Sequence, residues 1–152
     1  FRPATAFGLS PQMRLDLLFN EFVFKAVKEK HLVVFQADYM RAFIHVHDFA
    51  RAFLFALEHS DRMLNEVYNL GSEKVNLTKG DLAQRIRDQV PYDLQISEFG
   101  EDPDKRNYEV DFSKLRGVGF ESEVGVEEGI NELVRGYRIL NVPNPFSNAS
   151  NV

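Results

Sequence analysis

Arginine is the residue type in this sequence best placed for chemistry, because three of them stand at element boundaries. Arg14 falls on the first turn of a predicted helix beside the Gly8–Pro11 loop, Arg41 directly precedes a predicted strand, and Arg106 lies within Asp102-Pro103-Asp104-Lys105-Arg106-Asn107-Tyr108. A guanidinium offers a planar fork of donors to a phosphate, so two or three converging would make a pyrophosphate site. Taken singly, each reads more simply as a surface or ion-paired residue. Spacing alone does not bring them together.

The histidines give a second pattern. His45 and His47 alternate, which on a strand puts both on one face, and Asp48 follows directly. A metal would want a third ligand and a supporting shell, so a packed or capping histidine is the plainer reading. His31 and His59 fall at predicted helix ends, where a cation is favoured. Ser10, Ser60, Ser72, Ser97 and Ser113 occupy turn or cap positions, and none sits in a Gly-x-Ser-x-Gly elbow. Gly-x-Gly-x-x-Gly, Walker and His-Glu-x-x-His patterns are all missing, so the chain has no standard dinucleotide or triphosphate cradle.

The elements that must position these groups alternate between helix and strand. Leu15, Leu18, Phe19, Phe22, Val23, Ala26 and Val27 recur at helical spacing and predict a helix from Met13 to Lys28, capped near Ser10-Pro11. Short strands are expected over Leu32–Phe35, Ala42–Val46, Glu66–Leu70 and around Leu94 and Ile96. Asp48 is placed as the N-cap or a first-turn carboxylate of a helix running to His59, and Thr78 with Asp81 forms a capping-box pattern for a helix that Pro91 stops. Gly100 to Asn107 reads as a polar loop, Ser113 as the cap of a short helix, and Val126 to Leu140 as the last helix. The Asn-, Pro- and Ser-rich stretch 141–152 reads as a flexible tail.

Bulk properties set outer bounds. The chain has 152 residues, 44% hydrophobic and 27% charged, which fits one ordinary globular domain. A net charge of -5 argues against nucleic acid as the main partner, though a small anionic ligand needs only a few well-placed cations. Cysteine is absent, which excludes disulfides and thiolate metal sites. No apolar run reaches membrane-spanning length and no signal-peptide pattern is present, so a cytoplasmic location is expected. The opening Phe1-Arg2-Pro3-Ala4-Thr5-Ala6-Phe7-Gly8 reads as entering in mid-strand, which suggests a fragment of a longer chain.

Six blocks carry a resemblance. Arg2 to Pro11 resembles the "RPATVYGPSP" segment of extended short-chain dehydrogenases that act on nucleotide sugars, and Arg14 to Asn20 resembles their "RMRFDLVVN". Arg41 to Ala52 is similar to "RPFIHVDDVARA", with Ala42 in place of the commoner proline, and Val67 to Gly71 is similar to "VYNVG". Asp104 to Lys114 resembles "DPRNYRVDFSK", and Gly119-Phe120 with Val126 to Ile130 resembles "LGF…SLEEGI". The blocks run in order and cover the chain to about Leu140. They point to the superfamily of NAD-dependent nucleotide-sugar epimerases and dehydratases, without identifying the sugar.

The resemblance implies an α/β fold: the C-terminal part of a Rossmann-type parallel sheet plus a small mixed α/β substrate-binding domain over 1–140. In that family the N-terminal half carries the glycine-rich NAD motif and the catalytic Tyr-x-x-x-Lys pair. Neither is here, since Tyr39, Tyr68 and Tyr108 are followed at the fourth position by Phe43, Ser72 and Phe112. Hydride transfer needs both, so the chain by itself is expected to be inactive and to bind no cofactor, NAD or NADP belonging to the parent.

By resemblance, Arg2, Pro3, Ala4 and Thr5 would run beside the nicotinamide through backbone, or else form a buried strand. Arg41 and Arg106 would hold the diphosphate of a nucleoside-diphosphate sugar, Asn20 would lie near it or face solvent, and Arg14 would lie near the sugar or its phosphate. Tyr108 would pack on the nucleotide or serve as a core tyrosine. His45 and Asp48 would order a strand-to-helix junction. The alternatives are a non-catalytic module that binds a nucleotide sugar or cofactor, and a scaffold that oligomerises. Exposed apolar faces carrying Phe22 and Phe53 are expected, with association of copies through them.

Overall fold

Phe7, Phe19 and Phe43 come from a strand, a helix and a second strand, and their rings meet at the centre of the fold. Phe7 stacks on Phe19 with centroids 3.9 Å apart, and Phe43 meets Phe19 edge-on at 5.3 Å. These contacts are seen in a computed structural model of the protein, which describes residues 1–100, 102 and 104–141. The tail expected over 141–152 therefore lies, beyond Asn141, outside the described residues.

Strands β1 (Arg2–Pro3) and β2 (Thr5–Phe7) are two pieces of one extended run that changes partner at Ala4. β1 pairs in parallel with β5 (Asn69–Leu70), whereas β2 pairs in parallel with β4 (Met40–His45), Phe7 opposite His45. β4 also takes β6 (Asn76–Thr78) antiparallel on its other edge. β3 (His31–Phe35) forms a separate parallel pair with β7 (Asp93–Ser97) over five residues. The molecule is thus α/β with mostly parallel pairing, as expected. The strand predicted over Glu66–Leu70 shrinks to its last two residues, because Glu66 N–H closes a turn onto the Met63 carbonyl instead.

Helices α1 (Leu18–Phe24), α4 (Lys79–Gln89) and α6 (Val126–Ile139) pack against one another and enclose the main core. α6 comes close to β2 at Gly129, where a Cβ would overlap the Phe7 ring. A second, smaller core around Ile44, Met63, Tyr68, Leu115 and Phe120 lies under α2 (Val46–Glu58) and against the short helices α3 (Ser60–Met63) and α5 (Ser113–Gly117). No helix among the described residues is long and apolar enough to cross a membrane.

The first predicted helix is shorter and differently wound than its periodicity suggests. Met13 and Leu15 are buried, but from a non-helical stretch, and α1 begins only at Leu18. The cause is Asn20, whose amide oxygen accepts from Gly8 N–H at 3.1 Å and whose amide nitrogen donates to the Arg14 carbonyl at 3.1 Å. That clamp fixes the 8–14 loop, so Ser10 does not cap the helix and its hydroxyl instead donates to the Gln12 carbonyl. Beyond Phe24 the helix continues as a π-turn over Lys25–Glu29 and ends at Lys30 in the left-handed region. Phe22 is buried rather than exposed, and the exposed apolar face lies on α2, at Phe53, Leu54 and Leu57.

Candidate functional site

The ends of β3 and β4, the outer face of α1 and the loop around residues 102–108 wall a cleft of about 400 Å³. Its polar lining includes Arg41, Lys79, Asp102, Asp104 and Arg106, and Thr5 reaches it from β2. The loop is pinned to the start of β4, where Met40 N–H donates to Asn107 Oδ1 at 2.8 Å and Tyr108 N–H donates to the Met40 carbonyl. Arg41 follows Met40 at once, so the strand delivers it directly beneath the loop.

Two of the sequence-predicted arginines converge here on one residue. Arg41, only 2% exposed, donates from Nη2 to the Asp104 carbonyl at 2.8 Å, with the Asp104 carboxylate 3.6 Å away. Arg106 grips the same carboxylate with a fork, Nε to Oδ1 at 2.7 Å and Nη2 to Oδ2 at 2.5 Å. Those hydrogen bonds from Arg106 hold the Asp104 carboxyl down to about 2, and the carboxylate in turn raises the pKa of the Arg106 guanidinium. Arg41 Nη1 donates to the Met40 carbonyl, while its buried Nε has no acceptor among the described residues. A buried donor without a partner costs about 1–3 kcal/mol, so the structure carries an unused donor at this point. Tyr108, half-buried and in a loop rather than a strand, lies 5.9 Å from the Arg41 guanidinium.

The remaining sequence-predicted residues lie elsewhere or are otherwise engaged. Arg14 is exposed and forks onto Asp16 at 2.8 and 2.7 Å, which raises its pKa; Asp16, not Arg14, faces the cleft. Asn20 is buried and its amide is spent on the 8–14 loop, so it faces neither solvent nor the cleft. Arg2 and Pro3 are exposed, Ala4 and Thr5 half-buried, and the N–H groups of Arg2 and Ala4 are used by the Tyr68 and Leu70 carbonyls.

Sequence reasoning missed Lys79, Asp102 and Asp104 as members of this cleft. Lys79 is 1% exposed, with Nζ donating to Asp102 Oδ2 at 3.0 Å and lying 5.7 Å from the Tyr39 ring. A buried lysine opening a helix is unusual, but Thr78-Lys79-Gly80-Asp81 reads as a cap, which Thr78 indeed provides through Asp81 N–H. The alternating charges of 102–106 were the available signal for the two aspartates.

His45, not Asp48, is the cap of α2, its Nδ1 accepting from His47 N–H at 3.3 Å. Its Nε2 faces Glu132 at 3.3 Å, and Glu132 also accepts from Leu9 N–H at 2.7 Å. His45, His47 and Glu132 thus hold three ligand-type atoms within 4.8 Å of one another. Because Nδ1 already accepts, Nε2 carries the proton toward Glu132, and a metal at Nε2 would require breaking the cap. Asp48 is fully buried and accepts from Glu123 and Val124 N–H and from Arg51, tying α2 to the segment before α6.

A family model described as the NAD dependent epimerase/dehydratase family matches residues 1–71. That match spans just under half of the 152-residue chain. Among curated relatives, the low-salt glycan biosynthesis protein Agl12 of Haloferax volcanii is 29% identical over 137 residues, 88% of this chain and 43% of its own. The UDP-glucose 4-epimerase of Thermus thermophilus, solved with NAD, superposes with a TM-score of 0.71 at 20% identity over 91% of this chain and 45% of that one. The UDP-glucose 4-epimerase of Thermotoga maritima, solved with UDP-glucose, gives 0.69 at 23% identity over 90% and 44%. RMD of Pseudomonas aeruginosa, solved with NADPH, gives 0.71 at 20% identity over 90% and 46%. These likenesses establish the Rossmann-type epimerase/dehydratase fold. The chain spans less than half the length of the curated relative and of these structures.

Proposed function

We propose that this chain is the substrate-binding part of an NAD-dependent epimerase or dehydratase acting on a nucleoside-diphosphate sugar, and that it is inactive by itself. The observation that carries the reading is the convergence of Arg41 and Arg106 on one cleft, with Tyr108 beside them. Guanidinium donors from two sides suit a diphosphate, and an aromatic ring suits the face of a base or ribose.

We infer that the turn at Gly8 does not hold a dinucleotide. Gly8 has a positive φ of 117°, but it leads into a non-helical loop, and α1 opens at Leu18 without a side-chain cap. That turn therefore does not build the turn-to-helix cradle that would hold a pyrophosphate of NAD. Arg2 to Thr5 would only flank a cofactor held by another part of the parent, and no hydride step is assigned to these residues. We place the protein in the cytoplasm, and we assign the exposed α2 face to contact with another copy or another part of the parent.

Titration calorimetry with UDP and UDP-glucose tests the reading. Arg106→Gln removes an exposed fork and should weaken UDP binding roughly tenfold or more, the value of one or two charge-assisted hydrogen bonds. No UDP binding by the wild-type chain, or equal affinity in the variant, would sink it. Mixing the chain with NAD and UDP-glucose should give no absorbance from reduced cofactor; its appearance would overturn the proposed inactivity.

A further inference from the structure

Arg41 has almost no free surface because the loop carrying Asp104 lies over it. The Asp104 carbonyl and carboxylate oxygens take Arg41 Nη2, both Arg106 fork nitrogens and, at 3.2 Å, the Arg106 backbone N–H. The arginines that would hold a diphosphate are therefore already holding an anion. We propose that Asp104 is an internal anion of this cleft, displaced when a diphosphate binds, and that it sets which anions the cleft accepts. The proposal rests on the reading of the cleft as a diphosphate site.

Two pins flank Asp104. On one side Asp102 is fixed by Lys79 at 3.0 Å and by its own N–H on Gln36 Oε1 at 3.2 Å. On the other, Asn107 and Tyr108 are bonded to Met40. Asp104 lies between them, and its side chain, one-third exposed, can turn outward into water while its carbonyl stays on Arg41 Nη2 and its N–H on Asp102 Oδ1. Leaving costs the carboxylate its charge-assisted bonds, and an entering ligand must replace all of them at once. A diphosphate has the oxygens and the charge to take over the Arg106 fork and at the same time to offer an acceptor to the orphaned Arg41 Nε. A lone phosphate or carboxylate that takes the Arg106 fork leaves Arg41 Nε without an acceptor and so competes less well with Asp104. The residue thereby acts as a filter for bridging anions.

The test titrates the 152-residue chain with inorganic pyrophosphate and, separately, inorganic phosphate, comparing wild type with Asp104→Asn. The variant should bind pyrophosphate about tenfold tighter, and its preference for pyrophosphate over phosphate should shrink, since the competing charge is gone. Unchanged or weaker pyrophosphate binding in the variant, with wild-type binding intact, overturns the proposal and makes Asp104 an orienting residue for the arginines. If neither folded protein binds pyrophosphate or UDP, the diphosphate reading itself falls and takes this proposal with it. Circular dichroism checks folding, and Asp104→Ser supplies a second variant read in the same way.

Discussion

Lys79 and Asp102 form an ion pair whose two halves differ in their access to water, and that difference predicts unequal costs of mutation. Lys79 is 1% exposed on its side chain and Asp102 is 25% exposed, with 3.0 Å between Nζ and Oδ2. Removing one partner of a buried pair costs about 3–5 kcal/mol, because the other charge is left unpaired in a poor solvent. Asp102→Asn strands the ammonium, although the asparagine oxygen still accepts one hydrogen bond. With Asp102 partly open to water, the cost falls to about 2–3 kcal/mol. Lys79→Met instead removes the deeply buried charge, together with its ammonium contact to the Tyr39 ring, and leaves a carboxylate that reaches water and still accepts from Asp104 N–H at 2.8 Å. Its cost should stay within about 1 kcal/mol. Urea denaturation followed by far-ultraviolet circular dichroism measures both. Equal losses, or a larger loss for Lys79→Met, would refute the assignment of the burial penalty to the lysine.

Asp48→Ala leaves the Glu123 and Val124 N–H groups and Arg51 without their shared, fully buried acceptor, and should cost about 2–3 kcal/mol in the same assay. Gly129→Ala gains about 1 kcal/mol of helix propensity but drives a methyl into the fully buried Phe7 ring, so overpacking wins and stability should fall by about 1–2 kcal/mol. A gain in thermal midpoint would mean that Phe7 moves aside. His45 should make stability pH-dependent: burial pushes its pKa below the ordinary 6.5, against the pull of Glu132. The unfolded ring takes up its proton first, so this contribution is complete above 6.5 and is lost as pH falls from there toward the lower folded value. His45→Asn keeps an acceptor for the cap and should flatten the slope; an unchanged slope would exclude His45 as its source. Leu57→Glu, on the face where Leu57 is 75% exposed, should reduce any concentration-dependent association seen by sedimentation, and an unaltered profile would clear α2 of that role.

The sequence made the periodic elements readable and left the loops obscure. α2, α4 and α6 fall within two residues of their predicted ends because a wide apolar face and a stop at Pro91 or His59 are local signals. α1 misled because Met13 and Leu15 are buried at positions that mimic helical spacing, while the deciding interaction, Asn20 on Gly8, spans twelve residues. Arg41 and Arg106 could be selected by type and setting, but their meeting depends on Met40 pairing with Asn107, a contact that no periodicity encodes. The exchange of cap roles between Asp48 and His45 has a similar cause. Asp48 is drawn into the interior by N–H groups of Glu123 and Val124, far along the chain, which leaves the histidine ring to serve the helix.

A chain of net charge -5 is an unpromising host for an anion, and the cleft does not correct this by gathering unopposed cations. Lys25 faces Glu21 at 2.7 Å, Lys79 faces Asp102, and both arginines face Asp104. Paired charges cast little field beyond a Debye length of about 8 Å at physiological salt, so such a cleft does not steer ligands from afar. On the proposed reading, selectivity must then arise at contact, where a bridging diphosphate replaces the bonds of Asp104 and releases that carboxylate to water. Since one anion leaves as another enters, the change in local charge is smaller than for capture by free cations. Affinity should therefore depend less on ionic strength than a site built from two arginines would suggest. The same compensation explains how Arg41 is tolerated in the interior without ligand: Asp104 neutralises a guanidinium that would otherwise be stranded at 2% exposure.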